Sequence, residues 1–586
     1  MRLAAIERRI VELESSRRGG TDPATVLALL EWLDSVEIRD GNLLARFHDS
    51  LLYLCAYPPS QQVLRRAESL LKRFGGRVER LERSGDISPL LEPEVSGIAG
   101  TSIETPGFSY EVVRWLQEKF PRQTAIDWDT EPAAERLVSL LTPLIPLLGE
   151  ESNADANVDY RPWLAAANLS RPGRGLAWLL RNLGRIPIEP HQLAALYDSL
   201  QLTIQWRLGE SPMSRTRMRR RPGSTFFQRT PPLPRRDVSL ARQLAAPPLP
   251  ISKLSMRDGE AVLDLARGSM ALRYRELYCF NWGDPRSVVS ADAGRGLEIF
   301  LVGVVPEKRL PLRASFGTFF VRNGVPVGYA DAFGLCERMD VSFNIFYAFR
   351  DGESAYCFAQ LLKLYRQLFG STSFSIDPFQ LGVGNEEAIK AGAFWFYRKL
   401  GFRSVDPGIE RIARREEERI AADPLQRTTE RVLRRMARSP MNWDADESDD
   451  SGRLSRSAGR DWDRFHVRNL GIAVQRNWSR HGGSGADFID FCLRRVAAHL
   501  QMRVGVLTAL ERRALEGLAP VLLLARMERW TADERAAARR IIRAKTARRE
   551  DDYLRLLSQH VRLRRALLAH GSDRKSPRDD MTSRTG

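Results

Sequence analysis

Asn323-Gly324 stands between two strand-like runs, residues 317–322 and 325–333, and it constrains the fold of this chain more than any other pair of residues. Both central residues of a tight hairpin turn need positive φ, which Asn and Gly adopt at little cost, so the two runs are predicted to pair antiparallel. Around them, residues 297–305 form an apolar run broken by Glu298. Residues 341–349 alternate, with Val341, Phe343, Ile345, Tyr347 and Phe349 on one face and Ser342, Asn344 and Ala348 on the other. The period then changes. Residues 353–369 place Ala355, Phe358, Leu361, Leu362, Tyr365 and Phe369 at helical spacing, residues 374–381 read as a short strand, and residues 388–400 read as a second helix closed by Gly401. The order strand, hairpin, strand, helix, strand, helix predicts an α/β domain over residues 256–410, with a mixed, mostly antiparallel sheet and flanking helices.

At 586 residues the chain is too long for a single core, and other compositions flank this domain. Residues 1–210 are predicted to be an α-helical domain. Asp22-Pro23 supplies an N-cap and an N1 proline for a helix over residues 24–36, and further helices are expected over 43–57, 61–74, 110–120, 131–148 and 176–183. Residues 211–255 are rich in Arg and Pro, with Pro231-Pro232-Leu233-Pro234 and Pro247-Pro248-Leu249-Pro250, and are expected to be an extended, unstructured linker. A charged helix over 411–440, a disordered acidic and serine-rich linker over 441–462, a C-terminal helical region over 463–570 and a disordered tail over 571–586 complete the expected order. The acidic linker (Asp444, Asp446, Glu447, Asp449, Asp450) lacks the Gly and the closing Glu that a calcium-binding loop uses, and no metal site is expected anywhere.

The net charge is +17, and its placement decides what it implies. Residues 215–242 hold nine arginines against Asp237, and residues 501–586 hold 20 basic and 11 acidic residues, so these two segments account for the whole excess. A nucleic acid or an acidic protein would therefore be met by the arm from Arg215 to Arg242 or by the C-terminal region. The apolar runs are short; the longest, residues 137–148, contains two prolines, so no membrane partner is expected. Five widely spaced cysteines suit neither a disulfide framework nor a zinc site, and the N-terminus has no apolar signal core. A cytoplasmic protein with packed thiols is the expectation.

One helix carries chemistry. Residues 392–402 read Gly-Ala-Phe-Trp-Phe-Tyr-Arg-Lys-Leu-Gly-Phe, and here the chain resembles the GNAT family of N-acetyltransferases, whose last characteristic helix has an Ala, a Tyr four residues later, and a Gly-Phe four and five residues after the Tyr. Ala393, Tyr397, Gly401 and Phe402 match in type and spacing. The resemblance covers about residues 297–406; the remainder resembles uncharacterised bacterial proteins and implies no activity. In the family the Tyr protonates the departing thiolate of coenzyme A, so the resemblance makes Tyr397 the candidate acid. The family's pyrophosphate turn, Gln/Arg-x-x-Gly-x-Gly/Ala, falls on Phe349-Arg350-Asp351-Gly352-Glu353-Ser354. It implies Phe349, Arg350, Gly352 and Ser354 as the cofactor-binding residues, with backbone amides cradling the anion at a helix N-terminus. Phe349 replaces the Gln/Arg, and Asp351 and Glu353 place negative charge beside a pyrophosphate. Where the family has an Asn three residues before the helix Ala, this chain has Lys390, while Asn385 with Ala388 imitates the motif five residues early, which indicates an insertion or a lengthened first turn.

Direct transfer to an amine also needs a base. No His lies between His191 and His466, so the base would be a carboxylate: Glu298 is the candidate, with Asp331 and Glu337 as alternatives. The implied activity is an acyl-CoA-dependent N-acyltransferase that moves an acetyl or another acyl group to an amine. The alternative is a non-catalytic GNAT-like scaffold, or a protein that binds nucleic acid or an acidic partner through the Arg215 to Arg242 arm.

Overall fold

The computed structural model describes residues 2–128, 140–142, 144–155, 158–166, 174–423, 425–445 and 459–572. Five helices open the chain: α1 (Arg2–Ser16), α2 (Pro23–Ser35), α3 (Gly41–Ala56), α4 (Gln61–Lys72) and α5 (Gly75–Ser84). Side-chain oxygens of Asp40 and Ser60 accept from the backbone N–H of Leu43 and Val63, which caps α3 and α4. Almost every residue of α3 from Leu43 onward is buried, so this helix is the centre of the N-terminal core. The expectation of an all-helical N-terminal domain needs correction. Strands β1 (Ser102–Thr105), β2 (Thr124–Ile126) and β3 (Ile204–Arg207) form a small antiparallel sheet in the order β1-β3-β2. Strands of three or four residues are too short to leave an alternating pattern in the sequence. The helix expected over 131–148 falls mostly outside the described residues, as do Asp446, Glu447, Asp449 and Asp450; Asp444 ends a strand.

The second sheet has nine strands: β4 (Ile251–Lys253), β5 (Val289–Asp292), β6 (Leu297–Gly303), β7 (Ala314–Arg322), β8 (Val325–Leu335), β9 (Arg338–Ile345), β10 (Ser373–Ile376), β11 (Arg403–Ser404) and β12 (Met441–Asp444). Its order is β11-β12-β10-β9-β8-β7-β6-β5-β4, and every neighbouring pair is antiparallel except β9 with β10. The chain is thus mixed α/β, with a large, mostly antiparallel sheet and many helices. The Asn323-Gly324 hairpin forms as predicted, with φ of 46° and 81° at its two central residues.

All nine residues of β7 are buried, so both faces of the sheet are covered there. On one face Phe316 stacks on Phe369 at 4.3 Å and Thr318 shares a 2.9 Å hydrogen bond with Tyr365, both partners belonging to α6 (Ser354–Phe369). On the other face Phe280 packs edge-on to Phe319 and presses against Gly317, where a Cβ would lie 2.7 Å from its ring. Phe280 belongs to α8 (Tyr278–Asn281), which follows α7 (Met256–Ala271).

Two expected elements end early. The run 341–349 is strand only to Ile345, after which Tyr347–Phe349 form a single 3₁₀ turn. The run 374–381 is strand only to Ile376, because Asp377 caps the short helix α9 (Pro378–Leu381) by accepting from the Phe379 N–H. The helix expected over 388–400 is two helices, α10 (Glu386–Lys390) and α11 (Ala393–Arg398). Asn385 caps α10, and Gly392 at φ 63° breaks the path between them. Gly401 takes φ 103° beyond the second helix, as a C-terminal glycine should.

The largest departure concerns residues 211–255. The Arg/Pro-rich stretch is a packed strap rather than a free linker. Arg215 is 4% exposed, pairs with Asp49 at 2.7 Å and donates to the Glu94 carbonyl, while Arg217 donates to the Lys72 carbonyl. Arg220 lies over the Phe300 ring and 3.5 Å from Glu298. The stretch also holds a short helix, Leu240–Ala245, and the edge strand β4, and folded neighbours supply the carboxylates and carbonyls that make Arg215, Arg217 and Arg220 structural.

C-terminal helices between Val467 and Gly571 close on the β8–β9 hairpin. Glu337 at its tip accepts from Trp462 and Arg564 at 2.7 and 2.5 Å, and Tyr553 donates to the Leu312 carbonyl.

Candidate functional site

The turn that leads from β9 into α6 is where the sequence places a cofactor. Phe349 is buried, and its carbonyl accepts from the Gly352 N–H at 3.0 Å to close the turn. Ser354 begins the helix. The free amides of such a helix end would suit an anion. Here the chain itself takes up one of them. The Glu353 N–H donates to the Tyr57 hydroxyl at 3.2 Å, and a Cβ on Gly352 would lie 2.3 Å from that same oxygen. Gly352 is therefore small because the N-terminal domain lies against it.

The Glu353 side chain completes the occupation. Its carboxylate accepts from Arg322 at 2.8 Å, from Arg295 Nε at 2.9 Å and from the Leu233 N–H at 2.9 Å. Both Arg322 and Glu353 side chains are fully buried. Arg322 also donates to Gln228 and lies 4.1 Å over the Tyr57 ring. Burial alone would raise the Glu353 carboxyl, but the Arg295 hydrogen bond and the Arg322 charge outweigh it and hold it below the usual carboxylate value. Burial pushes the Tyr57 phenol up to about 12. One network therefore joins the N-terminal helices through Tyr57, the strap through Gln228 and Leu233, and the sheet through Arg295, Arg322 and Glu353.

The hairpin tip reinforces the joint. Asn323 donates to the carbonyls of Ala56 and Phe226 and accepts from the Phe226 N–H, and Arg220 donates to the Gly324 carbonyl. A residue type chosen for its turn geometry is thus also the contact between the three parts.

The other expected residues are dispersed. Arg350 leaves the turn: it reaches Glu387 at 2.5 Å and lies 3.7 Å over the Tyr347 ring. Tyr397, on α11, is 3% exposed between Phe358, Phe396 and Phe402, whose rings lie 5.2 to 5.9 Å away, and no described residue hydrogen-bonds its hydroxyl. Burial raises its phenol further from neutrality. Glu298, on β6, accepts from Ser290 at 2.6 Å and pairs with Arg220. Glu298 and Tyr397 share none of these partners, so the structure does not bring them together. Glu337 is held by Arg564 and Trp462, and although burial alone would raise its carboxyl, these two hydrogen bonds hold it low.

Of the three carboxylates weighed in the sequence, Asp331 lies on β8 opposite the part of β9 that runs on beyond its pairing with β10. The β9–β10 pairing covers only Arg338 to Asp340 against Ser373 to Ser375, while β9 continues to Ile345. Asp331 lies opposite Ser342 on β9 and accepts from the Cys279 thiol at 3.3 Å; burial pushes its carboxyl up. Sequence reasoning missed Tyr57, Arg295 and Arg322 altogether. The only signal for them was the pair Asp351 and Glu353, negative charges in a turn that a pyrophosphate would want neutral.

The five cysteines are buried and unpaired with one another, and no group of three metal-ligating side chains occurs among the described residues. No described helix is long and apolar enough to cross a membrane. Comparison with known proteins adds no relative: no family model, no curated protein and no solved structure matches this chain.

Proposed function

We propose that the sheet and helices from β6 to β12 are a GNAT-like domain that serves as a non-catalytic scaffold, its cofactor turn converted into the joint that holds the N-terminal helices and the strap. The observation that carries this reading is the Tyr57 hydroxyl on the Glu353 amide and against Gly352. A pyrophosphate at that helix end would have to displace Tyr57, whose hydroxyl already accepts from the Glu353 amide. The GNAT likeness rests on Ala393, Tyr397, Gly401 and Phe402 and on the one parallel strand pair with its short register. We place the protein in the cytoplasm, where buried thiols stay reduced. In this reading Arg215, Arg217 and Arg220 are spent on internal partners, and a polyanion could meet only the exposed arginines of the arm, Arg221, Arg229, Arg236 and Arg242.

One observation favours the acyl-CoA-dependent N-acyltransferase as the second reading: β9 runs on past its pairing with β10, and Asp331 lies on the strand beside it. Tyr397 would then protonate the coenzyme A thiolate and Asp331, rather than Glu298, would take the proton of the attacking amine. That chemistry requires Tyr57 to withdraw from Gly352.

Calorimetric titration of acetyl-CoA separates the two readings. The scaffold predicts no heat of binding to the wild-type chain at about 1 mM cofactor. Binding at micromolar concentration, lost in Gly352→Trp, would make the transferase primary.

A further inference from the structure

Beyond the end of β9 at Ile345, two arginines meet one carboxylate, and a third arginine lies over the Phe346 ring. Glu387 on α10 divides its two oxygens between Arg275 and Arg350, each at 2.5 Å. Arg275 also donates to the Tyr329 hydroxyl at 2.9 Å. Arg273 lies 3.7 Å over the Phe346 ring, donates to the Ser269 carbonyl at 2.7 Å, and has no carboxylate within ion-pair distance among the described residues. It is only 9% exposed. Burial first, and then the charge of Arg215, holds the Arg273 guanidinium well below its ordinary value. The carboxylate whose charge it feels, Asp49, is already paired with Arg215, and a buried cation so poorly compensated is the kind of group that a ligand's negative charge satisfies.

We propose that Arg273, Arg275 and Arg350 form a binding site for a small organic acid bearing two or more carboxylates, and that Glu387 occupies part of this site when the ligand is absent. A carboxylate already bridges Arg275 and Arg350, one oxygen on each guanidinium, as charge-assisted hydrogen bonds. One ligand carboxylate takes the place of Glu387, and a second supplies the charge that Arg273 lacks. The element that carries Glu387 is built to yield. Helix α10 has five residues and is bounded by Gly382, Gly384 and Gly392, all at positive φ. Solvent reaches the cluster, since the side chains of Arg275, Arg350 and Glu387 are 32%, 33% and 27% exposed. Arg350 shares its turn with Gly352, but its side chain is on Glu387 and not in the Tyr57 and Glu353 network, so the proposal does not depend on the scaffold reading.

Titration of citrate and tricarballylate into the full chain at constant ionic strength tests this, with inorganic phosphate as the competing anion. Glu387→Gln removes the internal competitor and is expected to tighten citrate binding by roughly tenfold. Arg275→Gln and, separately, the more conservative Tyr329→Phe should weaken it, with circular dichroism confirming that each variant is folded. A merely structural ion pair would give loss of stability in Glu387→Gln and no gain in affinity. Absence of citrate binding to both wild type and Glu387→Gln at about 10 mM would overturn the proposal. So would tighter binding of phosphate than of citrate, or citrate binding that Arg275→Gln and Arg350→Gln leave unchanged.

Discussion

Glu353→Gln is expected to cost the folded chain about 3–5 kcal/mol, read as a lowered urea midpoint for the transition that releases the N-terminal helices from the sheet. The reason lies in what stays behind. Arg322 is fully buried, and its other partners are the Gln228 amide oxygen and the Tyr57 ring face, so without Glu353 its charge is uncompensated in the interior. Arg295 and the Leu233 N–H lose an acceptor at the same time. Protease sensitivity should rise in the strap, because Gln228 and Leu233 belong to the same network. The pH dependence has a definite sign. The Glu353 carboxyl is depressed in the folded chain relative to 4.5 in the unfolded one. Its stabilisation is therefore complete above about pH 4.5 and is lost as pH falls through the folded value. Glu353→Gln should remove that acid limb and leave the neutral plateau lower.

His48 gives the second large effect, and in a higher pH window. It is fully buried in α3, with Nε2 2.9 Å from the Thr216 hydroxyl and Nδ1 3.4 Å from Asp49. Burial lowers its value to about 4 from 6.5 in the unfolded chain. The folded state therefore resists a proton that the unfolded state takes up. Stability is full above pH 6.5 and falls progressively to about pH 4, by about 3 kcal/mol in all. His466 and His560 are also lowered by burial, so the wild-type slope alone is not diagnostic. His48→Gln keeps a polar group beside Thr216 and should flatten the stability profile between pH 6.5 and 4.5, above the range where Glu353 titrates. An unchanged slope would mean that His48 is solvated.

The features legible in the sequence are those set by neighbouring residues. The Asn323-Gly324 turn, the alternation that makes β9, the helical period of α6 and the glycine at 401 each depend on a few adjacent φ values or one repeating face. The break between α10 and α11 was half legible: Asn385, five residues early, indicated an insertion or a lengthened first turn, and only Gly392 at positive φ shows where the helix restarts. The joint was not legible. Tyr57 and Glu353 are separated by 296 positions, and nothing local to either indicates a buried partner. The strap was misjudged for the same reason. Arginine and proline content does not show the helix Leu240–Ala245 or the strand β4 within residues 211–255, and Asp49 and Glu94, which bury Arg215, are supplied by distant helices and loops. In the candidate site, Tyr397 is placed on its helix as the resemblance implies, yet its partners are aromatic rings, which the run Phe394-Trp395-Phe396 allowed but did not require.

Amide hydrogen exchange across residues 350–356, with and without acetyl-CoA, tests the central claim most directly. If Tyr57 holds the turn, the Glu353 amide is protected in the free wild-type chain, acetyl-CoA leaves its rate unchanged, and Tyr57→Phe accelerates it. Rapid exchange in the free chain that acetyl-CoA slows would show that the turn is an open cofactor cradle and would contradict the account.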